Sequence, residues 1–150
     1  MTKNTISAPK PQGMYVSAKR HGDLIFTAGM TPRQNGKLMV EGPITAGKPA
    51  DAWRDAVVLA CSNALASATA ALRDGETLDQ ILSMTVFLAV DPKFAAHSLI
   101  ADFASQYLSE NLGEAGACAR SAIGVATLPG NAPVEINLIA SVCTKKGQMP

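Results

Sequence analysis

Aromatic residues are scarce in this 150-residue chain: one tryptophan, two tyrosines and four phenylalanines make up 5% of it. Basic residues gather only in the short pairs Lys19-Arg20 and Lys145-Lys146, and the net charge is +1. That leaves neither the stacking rings nor the positive stripe of a nucleic-acid binder. Cysteines number three, Cys61, Cys118 and Cys143, an odd set without zinc-like spacing. Reduced thiols in a cytoplasmic protein are the expectation. The two histidines, His21 and His97, stand far apart and read as surface or rim residues, and no metal-ligand spacing is present, so no metal site is expected. The most apolar stretch, Ala56 to Leu72, is broken by Ser62, Asn63, Ser67 and Thr69, so it is no membrane span. The first twenty residues lack a continuous apolar core, so no signal peptide is expected.

What is present points to a folded domain. Hydrophobic residues reach 47%, enough for a real core in a chain of this size. Residues 1–150 read as one domain, with a loose arm over 1–13 (Pro9, Pro11, Gly13) and a tail over 144–150. "DLIFTAG" (Asp23–Gly29) reads as a strand, and Asn35-Gly36 inside "RQNGKLMV" as a hairpin turn. Pro49 opens a helix whose apolar positions, Trp53, Val57, Ala60, Ala64, Ala68 and Ala71, recur at helical spacing until Arg73 and Gly75. "QILSMTVFLAV" (Gln80–Val90) is the strongest strand, with Leu82, Met84, Val86 and Leu88 on one face and Ile81, Ser83, Thr85 and Phe87 on the other. Asp91-Pro92 reads as the cap of a second helix, closed by Gly113. Strands over Ala119–Thr127 and Val134–Cys143 follow. The order β-β-β-α-β-α-β-β predicts an α+β sandwich, a mixed sheet with two helices on one face.

Two helices cover one face of a sheet. Val134, Ile136, Leu138, Ala140 and Val142 form the natural covered set of the last strand, leaving Glu135, Asn137, Ile139 and Ser141 on the other. Arg120 shares its face with Cys118, Ala122 and Gly124. We read that face, with Ile81, Phe87 and Ile139, as the uncovered one. A half-apolar open face calls for another subunit. Arg120 then borders an interfacial cavity walled by small residues. Two uses of it fit: an ion pair across strands or subunits, Glu135 among the candidates, or a bidentate grip on a ligand carboxylate. Spacing does not choose between them.

"ARSAIGVATLP", followed after "GNAP" by "VEINLIA", resembles the C-terminal signature of the RidA/YjgF family of enamine/imine deaminases. "MYVSAKRHGDLIFTAGMTPRQNGKL" is similar to that family's opening strands, and "LSMTVFLAVDPKF" to its central strand and second-helix entry. The resemblance spans about Gly13 to Val142, and "GEAGACARSAIGVATLP" looks like a divergent branch. It implies a chorismate-mutase-like sandwich with a six-stranded sheet, assembled as a homotrimer with sites in the clefts between subunits. It also implies roles: Arg120 holds the substrate carboxylate, Glu135 is linked to the attacking water, Tyr15 lines the pocket and Gly29 sits at its floor. Ala28 and Ala122 stand where better-studied relatives carry serine and cysteine, and Asn137 where they carry a second acidic residue; Phe87 completes the expected pocket wall.

The activity so implied is cofactor-independent hydrolysis of a reactive 2-imino or enamine acid to a 2-oxo acid and ammonia. Positioning a water and holding the carboxylate would supply much of the rate. Two other readings stay open: a dedicated catabolic deaminase such as a 2-aminomuconate deaminase, and a non-catalytic trimer that binds or senses small carboxylates. Neither nucleic acid nor membrane is an expected partner.

Overall fold

The computed structural model describes residues 7–145. Four short strands come first: β1 (Ala18–His21), β2 (Leu24–Thr27), β3 (Arg33–Gln34) and β4 (Lys37–Leu38). After helix α1 (Arg54–Ala70) and strand β5 (Glu76–Ala89) come helix α2 (His97–Leu112), strand β6 (Ala119–Val125) and strand β7 (Val134–Thr144). The main sheet has five strands in the order β1-β2-β7-β5-β6. Only β5 and β6 run parallel, because α2 carries the chain across between them. The architecture is the α+β sandwich expected, but the sheet is one strand short of six.

The difference lies in the opening hairpins. β1 and β2 turn back at Gly22-Asp23, pairing His21 with Leu24, with Gly22 at a φ of 56°. Lys19, Arg20 and His21 make β1 polar, and it is an edge strand, where charge is tolerated. Asn35 and Gly36 adopt φ of 53° and 79°, the left-handed pair of a type I′ turn, as the sequence predicts. The hairpin they close, β3–β4, forms its own two-stranded ladder.

Pro49 precedes a short 3-10 turn, Ala50–Trp53, that leads into α1. Buried Ala56, Ala60, Ala64 and Ala68 face the sheet, and their small size lets the helix approach it closely. The first three pack with Met84, Val86 and Leu88 of β5, with Val134, Ile136, Leu138 and Ala140 of β7, and with Ile100, Phe103 and Leu108 of α2, while Ala68 packs with Ile25 and Val142. The covered face of β7 is therefore the one read from the sequence.

Two sequence expectations shift here. The start of α2 is not Asp91-Pro92. Ile44 bridges to Val90, and Asp91 N–H donates to the Ile44 carbonyl, so Asp91 belongs to the strand's end. The chain turns through Phe94, whose N–H donates to the Asp91 carbonyl at 2.9 Å, and the helix begins at His97. The second shift is in β5. Its pairing with β7 slips between Leu78 and Gln80 and again between Ile81 and Ser83. Each bulge inserts one residue and reverses the alternation. Ile81 therefore turns into the core at 1% exposure, while Leu82 is left outside.

A bidentate ion pair ties the far edge together. Arg20 donates from Nη1 and Nη2 to Glu76 Oε2 and Oε1, each at 2.8 Å, and Glu76 also accepts from the Arg73 N–H at 2.7 Å. These donors hold the Glu76 carboxyl down at about 2. Among the described residues no helix is long and apolar enough to cross a membrane.

Candidate functional site

β6 is the parallel edge of the sheet, and its register decides where Arg120 goes. Arg120 pairs with Met84 and Ala122 with Val86, both fully buried under the helices. Arg120 thus rises toward α2, not onto the open face where the sequence reading put it. That reading aligned the faces of β6 and β7 without knowing the register across β5. Its guanidinium meets a row of polar side chains on α2. Nη1–H donates to Asp102 Oδ1 at 2.8 Å and to Ser105 Oγ at 2.9 Å, and Nη2–H donates to Ser98 Oγ at 2.8 Å. The spacing of Ser98, Asp102 and Ser105 puts all three on one side of the helix. Two residues beyond Ala122, Gly124 leaves room for His97, whose Nε2 would stand 2.5 Å from any Cβ there.

Glu135 lies on the opposite face. It pairs with Phe87 across β5, and Phe87 pairs with Ile123 of β6. The Glu135 side chain rests on Gly29: a Cβ at residue 29 would stand 2.7 Å from its Cδ and 2.9 Å from its Oε2. The backbone fixes this approach, because Met30 and Ile136 exchange two N–H···O bonds of 2.8 Å. Half-buried there, with no ion-pair partner among the described residues, Glu135 has its carboxyl pushed above the ordinary value by desolvation.

Gly29 also lines a cavity of about 690 Å³ shared with Tyr15, Ser17, Met30, Thr31, Arg33 and Asn63. Tyr15 is about half exposed, and its Oη accepts from the Gln12 N–H at 3.1 Å. Ala28 donates its N–H to the Ser17 carbonyl at 2.8 Å and packs at the margin of the core. The expected site residues therefore fall into two groups. Glu135, Gly29 and Phe87 meet on the open side, with Tyr15 on the same cavity as Gly29. Arg120 and Ala122 stand on the helix side. Within one chain the guanidinium and the carboxylate do not meet.

The sequence reading missed the polar row of α2. Ser98, Asp102 and Ser105 at helical spacing were the available signal. It also missed Arg33, which lines the cavity, and Asn63. That asparagine is 4% exposed and donates from Nδ2 to the carbonyls of Thr31 and Arg33 at 3.0 and 2.9 Å, pinning the β3–β4 hairpin to α1. A lone amide in an alanine-rich helix was the hint. Cys61 is buried and its thiol is pushed up to about 12 by desolvation, which makes it inert as a nucleophile. Burial likewise raises Cys118.

The open face carries exposed Phe26 and Ile123, at 40% and 41%, beside half-buried Phe87 and Ile139. Comparison with known proteins identifies the family and the fold. The profile of the family described as Endoribonuclease L-PSP matches residues 5–142. Among solved structures, Atu1372 of Agrobacterium tumefaciens is 32% identical with a TM-score of 0.79, covering 86% of this chain and 82% of that one. Escherichia coli TdcF, solved with bound serine, is 30% identical with a TM-score of 0.63, over 89% and 92% of the two chains. The E. coli YjgF gene product is 25% identical with a TM-score of 0.64, over 90% and 93%. The match over nearly the whole length, on the same two-layer fold, places this chain in the Endoribonuclease L-PSP family, the RidA/YjgF proteins.

Proposed function

We propose that the protein is a cofactor-independent deaminase that hydrolyses a 2-imino or enamine acid to a 2-oxo acid and ammonia, at a cleft between subunits of a homotrimer. The observation that carries this is Glu135: a half-buried carboxylate set on bare Gly29, with its pKa raised by desolvation. A carboxylate so placed accepts a proton from water more readily than a solvated one. Arg120 supplies the complementary group. Its Nη1–H donates to the Asp102 carboxylate at 2.8 Å, which supports a carboxylate-binding role.

The two lie on opposite faces of one sheet, so the proposal requires Arg120 of one subunit to face Glu135 of the next. The exposed Phe26 and Ile123 are the apolar surface that such packing would cover. In the cleft, Arg120 holds the substrate carboxylate. Glu135 takes a proton from water as its oxygen adds to the imine carbon. The C–N bond of the resulting carbinolamine breaks, nitrogen leaves as ammonia with the protons returned, and the carbonyl of the 2-oxo acid remains. The TdcF structure holds serine, a small molecule whose carboxylate and α-nitrogen match the headgroup of a 2-imino acid. That likeness supports the substrate class.

A second reading, a non-catalytic trimer that binds or senses small carboxylates, shares the Arg120 cleft and is favoured by the same serine, since it implies binding alone. The dedicated catabolic deaminase is the narrower form of the first. The ribonuclease activity in the family's description is not part of the proposal, because a net charge of +1 without a basic stripe gives no purchase on phosphates. The test is to generate 2-iminobutanoate in situ and follow its loss. Faster decay with the wild-type protein, abolished by Arg120→Ala, supports deamination. Decay at the buffer rate, with 2-oxobutanoate still bound, supports the binding reading.

A further inference from the structure

Arg33 has no role in the chemistry above, yet it lines the cavity that Gly29 and Tyr15 share. It is partly buried, and it makes no ion pair among the described residues. Its backbone is fixed. The Arg33 carbonyl accepts from Asn63 Nδ2 at 2.9 Å, and the Arg33 N–H donates to the Thr31 carbonyl at 2.8 Å. The guanidinium is held as well. Nη1–H donates to the Gly36 carbonyl at 3.1 Å, and Nη2 lies against Gly130, where a Cβ would stand 2.7 Å away. That bond to Gly36 is the one the Arg33 side chain makes among the described residues. Its other nitrogens are not sealed off, because among those residues the buried side-chain polar atom left without a partner is Trp53 Nε1 alone. A guanidinium carries five N–H donors, so most of this fork is open to whatever enters the cavity.

The cavity favours negative charge. No aspartate or glutamate lines it, while Lys10 of the arm borders it along with Arg33. Gln12, Thr31 and Asn63 add polar walls. Its volume of about 690 Å³ lies in the range that holds drug-sized ligands, roughly 300–1,000 Å³. A 2-imino acid with a short alkyl side chain would leave most of that space to water. Arg33 is four residues from Gly29, a backbone span of at most about 14 Å, and Gly29 is the seat of Glu135. A substrate chain of a few carbons, met by the Arg33 side chain, covers such a distance.

We propose that the substrate is a 2-imino or enamine acid with a second carboxylate, and that Arg33 holds that second carboxylate. This rests on the deaminase reading above. Arg120 of one subunit takes the first carboxylate. Glu135 of the next accepts the proton of the attacking water, and Arg33 of that same subunit anchors the far end. Arg33 sets specificity and takes no part in bond making. An alkyl tail in the same place would leave its fork facing water.

The ratio between diacid and monoacid tests this. 2-Oxoglutarate and 2-oxoadipate, products that such substrates would give, are compared with 2-oxobutanoate in calorimetry on the full chain. At least one diacid should bind about tenfold or more tightly than the monoacid, the share of one charge-assisted bond. Arg33→Ala should erase that ratio. Arg33→Gln, which keeps a donor for the Gly36 carbonyl, should erase it too, so a lost charge is told apart from a disturbed turn. Arg33→Lys should keep part of it. The imino forms of the same acids, generated in situ, should follow the same order in kcat/KM, with the difference in KM. Equal binding of the diacids and the monoacid would overturn the proposal, as would a preference that survives both neutral variants. Loss of every imino acid at the buffer rate, with the diacid ratio intact, would remove the deaminase reading and keep Arg33 as a diacid anchor.

Discussion

Arg120 Nη1 stands 2.8 Å from Asp102 Oδ1, so the chain presents a carboxylate of its own to the guanidinium proposed to hold substrate. Asp102 is 63% exposed at its side chain against 18% for Arg120. The pair is therefore asymmetric: the aspartate is wet and free to leave, while the arginine is fixed by Ser98 and Ser105 as well.

An exposed ion pair of this kind is worth about 0–1 kcal/mol. Removing the competitor should release that much to a ligand. Asp102→Asn is expected to tighten 2-oxobutanoate binding by up to about fivefold in calorimetry, with Ser98 and Ser105 still orienting the fork. Weaker binding would mean that Asp102 builds the site instead of competing for it.

Gly29 admits the Glu135 side chain only because it lacks a Cβ. Gly29→Ala should force Glu135 out of its seat at a cost of about 1–3 kcal/mol, the range for overpacking a close contact. Deaminase activity should fall far more than thermal stability. Ordinary activity in this variant would detach Glu135 from the chemistry.

Burial raises the Glu135 carboxyl above its unfolded value. Between the two values the folded state binds more protons, so this group subtracts stability as pH rises. Glu135→Gln should therefore melt higher than wild type at pH 7, and the difference should vanish below about pH 4, where both states are protonated. Its deaminase rate should drop by about 10²–10⁴, the share of a general base. The wild-type rate should climb with pH as Glu135 deprotonates. A glutamine variant that melts lower at pH 7, or a flat pH–rate profile, goes against this.

Glu76 works in the other direction. Arg20 and the Arg73 amide hold it at about 2, so its contribution is complete above the ordinary glutamate value and is lost as pH falls toward 2. Thermal melts of wild type and Glu76→Gln should differ most near neutral pH and converge as the pH approaches 2. A gap that stays constant across that range would show that the pair adds no pH-dependent stability.

Alternation and helical spacing made much of this fold legible. The covered face of β7 and the Asn35-Gly36 turn are local patterns that burial and turn chemistry enforce. What escaped depends on pairing across the chain. The bulges at Asp79 and Leu82, which turn Ile81 inward, arise from the β5–β7 register. The face of Arg120 is set by its parallel partner Met84, which no periodicity within β6 reveals. β1 is a charged strand at the sheet's edge, and edge position is a property of the whole sheet. Glu135 against Gly29 was legible only through likeness to a family; their contact joins residues more than a hundred positions apart.

The central claim is that Arg120 and Glu135 of different subunits share one site. Subunit mixing tests it: Arg120→Ala and Glu135→Gln chains, each inactive alone, are co-refolded and assayed on 2-iminobutanoate. If the site spans subunits, mixed assemblies hold clefts with both groups intact, and activity should return to a substantial fraction of wild type. Confirmed mixed assemblies with no more activity than either parent would contradict the account.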